Sequence, residues 1–210
     1  MARQGYVGLG SNRGNRTAFL RAGLEALRDS GLEVSAVSSF YLTEPEIASE
    51  EDDGRHPWYV NCVACLEGPP EAGELLRRCL QIEARLGRVR LSRATESRTT
   101  ESRATESRAT ESRTLDIDVL LYGDEVIEKP EVQVPHPRLH VRRFVLLPMA
   151  EIAPRLVHPV EKATMSELLE RLPNGKGVWY MTPPPDLDAA LRPALRPALR
   201  PALRPALGDT

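Results

Sequence analysis

The residues best spaced for chemistry are two aspartates two positions apart, Asp116 and Asp118, in "TLDIDVLLYG" (114–123). On a strand their Cα atoms stand ~6.5–7 Å apart and both side chains share one face. Leu115, Ile117, Val119 and Leu121 then take the other face, toward a core. Two carboxylates held side by side repel each other unless a cation lies between them. An oxygen-only pair in a chain with four histidines and three cysteines suits Mg²⁺ better than zinc. The same spacing also describes an ordinary solvated face, and spacing alone leaves both readings open.

Arginines flank the pair: Arg88 and Arg90 in "GRVR", and Arg113 just before the strand. The guanidinium fork pairs two phosphate oxygens at once, so arginine beside a divalent cation fits a phosphate-rich substrate. In a chain this rich in arginine, any one of them is equally a solubilising surface residue. "VPHPRLHVRRF" holds His136 between two prolines, with His140, Arg142, Arg143 and Phe144 following. His136 and His140 lack a third nitrogen or thiolate, which makes a poor zinc site. "GLGSNRGNRT" follows a strand and opens a helix, but Arg13 stands where a dinucleotide fingerprint needs its third glycine. Asn12 there either caps the helix or touches a ligand. "CVAC" has the spacing of a redox or zinc half-site but sits in a strand, where positions three apart face opposite ways. Cys62 and Cys65 read as buried small hydrophobes.

These residues need elements to position them. "GYVGLG" (5–10) reads as a buried strand. Phe19, Leu20, Leu24 and Leu27 recur at helical spacing from Asn15 to Arg28, with Gly31 as the stop. "LEVSAVSSFYLT" (32–43) is a second strand and "WYVNCVACLEG" (58–68) a third. Residues 71–86 carry a broad apolar helical stripe ended by Gly87, and "TLDIDVLLYG" is the fourth strand. The order β-α-β-β-α-β is the ferredoxin-like α+β pattern. A hairpin (126–134), a helix around 142–151 and a short helix near 164–172 follow as a C-terminal addition.

Two segments stand apart. Arg-(Ala/Thr)-Thr-Glu-Ser repeats four times between 93 and 113, and Arg-Pro-Ala-Leu four times over 192–207. A five-residue period makes no stripe on a helix and alternates faces on a strand, so the first reads as a mobile insertion. A proline every fourth residue excludes a regular helix, so the second reads as a disordered tail. The expected organisation is one domain over 1–180, carrying the 93–113 insertion, and a tail over 181–210. Net charge of −2 argues against a general nucleic-acid or membrane-surface binder. No apolar run approaches a membrane span or a signal-peptide core, so a cytoplasmic location is expected.

"YVGLGSN", "VSSFYLTEP", "WYVNCV", "IEARLGRVR", "RTLDIDVLLYG", "VPHPRLHVRRFVLLPMAEIAP" and "LVHP" occur in this order from Tyr6 to about Pro159. Together they resemble the 6-hydroxymethyl-7,8-dihydropterin pyrophosphokinase family. The resemblance implies a ferredoxin-like α+β fold and transfer of pyrophosphate from ATP to the pterin's hydroxymethyl oxygen, releasing AMP, in folate biosynthesis. By resemblance, Asp116 and Asp118 hold two Mg²⁺ ions. Arg88, Arg90 and Arg113 clamp the triphosphate, and His136 and Arg142 contact ATP. Tyr59 and Phe144 sandwich the pterin, Thr43 and Asn61 bond its polar edge, and Asn12 lies near it. Glu83 falls on a ligand-proximal position. The catalytic set is Arg88, Arg113, Asp116 and Asp118. Small-molecule substrates are the expected partners, with no nucleic acid, no membrane and a monomeric chain.

The resemblance breaks in the segment before Arg113. Glu111-Ser112 stand where the family has Gly-Pro, its tryptophan is absent, and the repeat lengthens the link. Lengthening a surface loop costs little, roughly 0.6 kcal/mol per doubling, so the insertion bears on closure rather than on the aspartates. Three alternatives remain: a relative that binds ATP or pterin without transfer, a Mg²⁺-dependent nucleotidyltransferase releasing pyrophosphate, and an RNA-binding ferredoxin-like domain. The last needs exposed aromatics on the central strands, where this chain has aspartates.

Overall fold

The computed structural model describes residues 3–45, 57–87, 114–173 and 177–181. In chain order these form β1 (Gln4–Ser11), α1 (Arg16–Asp29), β2 (Glu33–Val37), β3 (Tyr41–Thr43), β4 (Tyr59–Glu67), α2 (Ala72–Arg85) and β5 (Asp116–Tyr122). A small hairpin, β6 (Ile127–Glu128) and β7 (Gln133–Val134), follows. Next come a 3₁₀ turn (Leu139–Val141), α3 (Arg143–Ile152), α4 (Met165–Arg171) and β8 (Val178–Tyr180).

The main sheet is antiparallel, in the order β5-β1-β4-β3-β8, with β2 also paired to β4. This is the ferredoxin-like βαββαβ core, with one refinement. The expected strand 32–43 is two strands, β2 and β3, interrupted at Ser38–Phe40. At the break the Ser38 amide donates to the Val63 carbonyl at 2.9 Å, and the Ser38 hydroxyl accepts from the Val63 amide at 2.9 Å.

The sheet is covered on both faces. Leu20, Leu24 and Leu27 of α1 and Leu75, Cys79 and Ile82 of α2 pack on Val7, Leu9 and Ile117. On the other face Leu139, Leu146, Met149, Met165 and Leu168 pack on Tyr6, Val63, Cys65 and Leu120. β4 is buried on both sides, so Cys62 belongs to the first cluster and Cys65 to the second, as alternation requires. All three cysteines are free and buried, and burial pushes the Cys79 thiol up to about 12.

Two expectations need correction. The register between β1 and β5 shifts between Tyr6 and Val7, which pair with Leu121 and Val119. Leu120 is therefore an extra residue, a bulge that reverses alternation beyond it. Leu121 consequently joins Leu120 in the second cluster rather than sharing the face of Ile117 and Val119. The bulge follows the two aspartates and leaves their common face intact. The cap of α1 is Asn15, whose Oδ1 accepts from the Ala18 amide at 3.2 Å, and not Asn12. Gly31 ends that helix turn at φ +81°, in the left-handed region glycine favours.

The sequence reading left out β8, which lies along the outer edge of β3. The described chain runs one residue past the expected boundary at 180, and the Met181 amide donates to the Phe40 carbonyl at 2.8 Å. The 93–113 repeat and the Arg-Pro-Ala-Leu tail lie outside the described residues. Among the described residues no helix is long and apolar enough to cross a membrane.

Candidate active site

Strand register places the sequence-selected residues in rows across one sheet face. Asp116 on β5 pairs with Gly10 on β1, Gly10 with Asn61 on β4, Asn61 with Tyr41 on β3, and Tyr41 with Tyr180 on β8. One row along, Asp118 pairs with Gly8 and Gly8 with Val63. At the other end of β4, Tyr59 pairs with Thr43. Residues paired directly across antiparallel strands point to the same side. The aspartates therefore share a face with Asn61, Thr43 and Tyr59.

The two glycines separate these groups, and their roles differ. A Cβ at Gly8 would meet Leu120 Cδ1 at 3.4 Å, an ordinary contact with a covering side chain. A Cβ at Gly10 would lie 2.6 Å from Asn61 Oδ1. The Asn61 amide thus occupies the space a side chain at position 10 would need. Its Nδ2 donates to Thr43 Oγ1 at 3.0 Å, with Asn61 7% and Thr43 3% exposed. These glycines form no phosphate loop. Gly10 leaves room for the Asn61 amide of β4, and Gly8 for the Leu120 side chain.

α3 brings the opposing wall. Arg142 precedes its first turn and Phe144 lies within it, the Arg142 guanidinium 5.4 Å from the Phe144 ring centroid. His136 is fixed by its backbone: its amide donates to the Leu120 carbonyl at 2.8 Å and its carbonyl accepts from the Leu139 amide at 2.9 Å. His136 Nδ1 accepts from the Arg138 amide at 3.1 Å, which leaves the proton of the neutral ring on Nε2. Burial, then the charges of Arg142 and Arg138, push its pKa down to about 4, and Asp116 acts in the opposite direction. Both Arg142 and Asp116 are thus close enough to His136 to act on it. Asn12 is buried at the end of β1.

Glu83 on α2 is 1% exposed, and its Oε1 accepts from the Ile117 amide at 2.7 Å. That amide lies between the two aspartates on the outer edge of β5, so Glu83 helps fix the strand that presents them. Arg88, Arg90 and Arg113 lie outside the described residues. The residues bounding that segment meet, however: a Cβ on Gly87 would be 4.0 Å from Thr114 Oγ1.

Sequence reasoning missed Glu151. Its carboxylate accepts from the Ser39 amide (2.9 Å), the Ser39 hydroxyl (2.7 Å) and the Tyr41 hydroxyl (2.8 Å), tying the last turn of α3 to β3. Burial, then the Glu151 charge, raises the Tyr41 pKa. The available signal was one acidic residue inside the apolar run "FVLLPMAEIAP".

Among the described residues no group of three or more His, Cys, Asp or Glu forms a closed metal cage. The donor set at the open end of the face is the carboxylate pair Asp116 and Asp118, both half-buried. Carboxylate oxygens alone fit a hard cation that takes its remaining ligands from phosphate and water.

The family profile described as 7,8-dihydro-6-hydroxymethylpterin-pyrophosphokinase (HPPK) matches residues 6–154. A 2-amino-4-hydroxy-6-hydroxymethyldihydropteridine pyrophosphokinase from Synechocystis sp. is 33% identical over 188 residues, covering 89% of this chain and 85% of that protein. One from Haemophilus influenzae is 35% identical over 172 residues, covering 81% and 94%. The folic acid synthesis protein FOL1 of Dictyostelium discoideum is 27% identical, and the chain spans 24% of its length. Among solved structures, Plasmodium falciparum HPPK-DHPS with pteroate superimposes with a TM-score of 0.55 at 12% identity, over 81% of this chain and 44% of that one. At that identity the likeness speaks to the fold.

Proposed function

This chain belongs to the 7,8-dihydro-6-hydroxymethylpterin-pyrophosphokinase family, and on that premise we propose how its residues divide the work. The reaction is transfer of pyrophosphate from ATP to hydroxymethyldihydropterin in folate biosynthesis. The pterin's hydroxymethyl oxygen bonds to the β-phosphorus and loses its proton. The bond from that phosphorus to the bridging oxygen of the α-phosphate breaks, and AMP leaves with the oxygen. Such a transfer needs little covalent help from the protein. Positioning and neutralisation of charge supply most of the acceleration.

The observation that carries the division of roles is the row Asp116–Gly10–Asn61, a carboxylate end and an amide end joined across a strand that has no side chain between them. At the amide end, Asn61 and Thr43 bond the polar edge of the pterin, with Asn12 nearby. Tyr59 from the sheet and Phe144 from α3 stack on its two faces. At the carboxylate end, Asp116 and Asp118 hold Mg²⁺, two ions by the family resemblance. When bound, Mg²⁺ neutralises and orients the phosphate oxygens. His136 donates from Nε2–H to a phosphate oxygen and Arg142 pairs with the nucleotide. Arg88, Arg90 and Arg113 take the triphosphate oxygens. The catalytic set is Arg88, Arg113, Asp116 and Asp118. The chain works on small molecules in the cytoplasm as a monomer.

AMP release from ATP, 6-hydroxymethyl-7,8-dihydropterin and Mg²⁺ tests this, with Asp118→Asn alongside. AMP formation by the wild type and its loss in the variant support the assignment. Pyrophosphate release instead of AMP identifies a nucleotidyltransferase, and binding of both substrates without AMP identifies a non-transferring relative.

A further inference from the structure

β3 is three residues long, yet it carries Thr43 and faces Asn61 and Tyr59 across β4. Its outer edge is occupied by β8 through Thr43–Val178, Leu42–Trp179 and Tyr41–Tyr180 pairs. The junction extends past both ends. The Glu44 amide donates to the Gly177 carbonyl at 3.2 Å, the Gly177 amide to Glu44 Oε2 at 3.0 Å, and the Met181 amide to the Phe40 carbonyl at 2.8 Å. Tyr41 and Tyr180 meet edge to face at 6.1 Å.

Trp58, one residue before β4, and Trp179, in the middle of β8, lie ring on ring with centroids 4.8 Å apart and planes 13° from parallel. The pair spans β3. Trp179 pairs with Leu42, and Leu42 with Val60, two residues after Trp58. Leu42 and Val60 pack into the α1/α2 cluster, so the stack belongs to the sheet face opposite Asn61 and Thr43. Arg16 Nη1 donates to the Trp58 carbonyl at 2.6 Å, which ties the same residue to the start of α1. The Trp179 ring folds back over Gly177, where any Cβ would run into it. The glycine at 177 is therefore what permits the stack.

We propose that the Trp58–Trp179 stack, together with β8, is a positioning clasp for the pterin-binding wall. Neither tryptophan touches a substrate. They act through Thr43 and Tyr59, which lie one residue from Leu42 and Trp58, by fixing the strands that present them. β8 lies beyond residues 6–154, so this determinant comes from a part of the chain outside the family profile. The proposal rests on the pterin roles given above to Thr43, Tyr59 and Asn61. Coupling is reciprocal: a clasp that favours bound pterin is itself favoured by pterin.

The chain's only tryptophans are these two, so its indole fluorescence comes from the clasp. Steady-state rates are measured for the full chain and for Trp179→Ala, Trp179→Phe and Tyr59→Ala. Trp179→Ala raises the KM for pterin about 3- to 10-fold, the range an aromatic pair supports, and Trp179→Phe restores most of it. The KM for ATP stays within about twofold, because the nucleotide end is held by other strands. In the wild type, time-resolved acrylamide quenching slows when pterin is added over a saturating non-hydrolysable ATP analogue. An unchanged pterin KM in Trp179→Ala beside a raised one in Tyr59→Ala overturns the clasp and leaves the pterin site standing. If neither KM moves, the pterin assignment falls and the clasp with it. Should Trp179→Ala fail to fold, the wild-type measurement decides, and quenching indifferent to pterin overturns the proposal.

Discussion

Gly10→Ala tests the row on which the site is built. The added methyl would lie 2.6 Å from Asn61 Oδ1, so the amide must retreat by ~0.4 Å merely to reach the 3.0 Å limit of real contacts. Asn61 and Thr43 are both buried and bonded to each other at 3.0 Å, so a shift of one strains or breaks the bond to the other. Leaving a buried donor and acceptor unpaired costs ~1–3 kcal/mol. Because that pair is proposed to read the pterin's polar edge, the same sum appears as a ~5- to 150-fold rise in the KM for pterin. The KM for ATP changes by less than ~2-fold, since the methyl points at the amide and not at Asp116. Replacing glycine in a strand by alanine also recovers ~0.5–1 kcal/mol of backbone entropy, so the folded state persists. Gly8→Ala is the control: its methyl meets Leu120 at 3.4 Å, and pterin KM stays within ~2-fold. Rates are measured with each substrate varied at saturation of the other, with a thermal melt on every variant. A Gly10→Ala protein with wild-type pterin KM and an unchanged melt would refute the reasoning.

Other outcomes follow from the same geometry. Asp116→Ala and Asp118→Asn each lower turnover by ~10²–10³-fold, and chelation of divalent cations abolishes AMP release from the wild type. Glu151→Ala strips three hydrogen bonds from Ser39 and Tyr41 and lowers stability by ~2–4 kcal/mol in a urea titration, while Tyr41→Phe costs ~1 kcal/mol. His136 has a folded pKa near 4 against an ordinary value of about 6.5, so between those values the unfolded chain binds more protons. Ligand-free stability therefore falls as pH drops from about 6.5 to about 4, by up to ~3 kcal/mol, and His136→Gln flattens that part of the curve. Arg113→Ala reduces turnover by ~10²-fold, whereas deleting residues 94–108 spares it; the reverse pattern would remove Arg113 from the catalytic set.

The parts of this molecule legible in its sequence are those where one periodicity holds without interruption. The stripe of Leu20, Leu24 and Leu27 fixed α1, and the alternation of Asp116, Ile117, Asp118 and Val119 put both carboxylates on one face. What escaped depends on partners far away in the chain. The Leu120 bulge is visible only when β5 is laid against β1, so the side taken by Leu121 could not be read from alternation. β8 is a short strand whose stability comes from an edge more than a hundred residues earlier. The role of Glu151 depends on Ser39 and Tyr41, which donate to it from more than a hundred residues earlier in the chain. For the site, the shared face of Asp116 and Asp118 was local and legible. The meaning of Gly8 and Gly10 was not, because their neighbours, Leu120 and Asn61, stand on other strands.

The near contact of Gly87 with Thr114 means that α2 and β5 hand the chain to each other at one spot, whatever is spliced between them. By loop-closure entropy, adding or dropping one five-residue unit there changes stability by only ~0.2 kcal/mol. A protease cut inside that stretch should likewise yield two fragments that remain associated, since β5 keeps its ladder to β1 and Glu83 keeps its bond to Ile117 after the covalent link is gone.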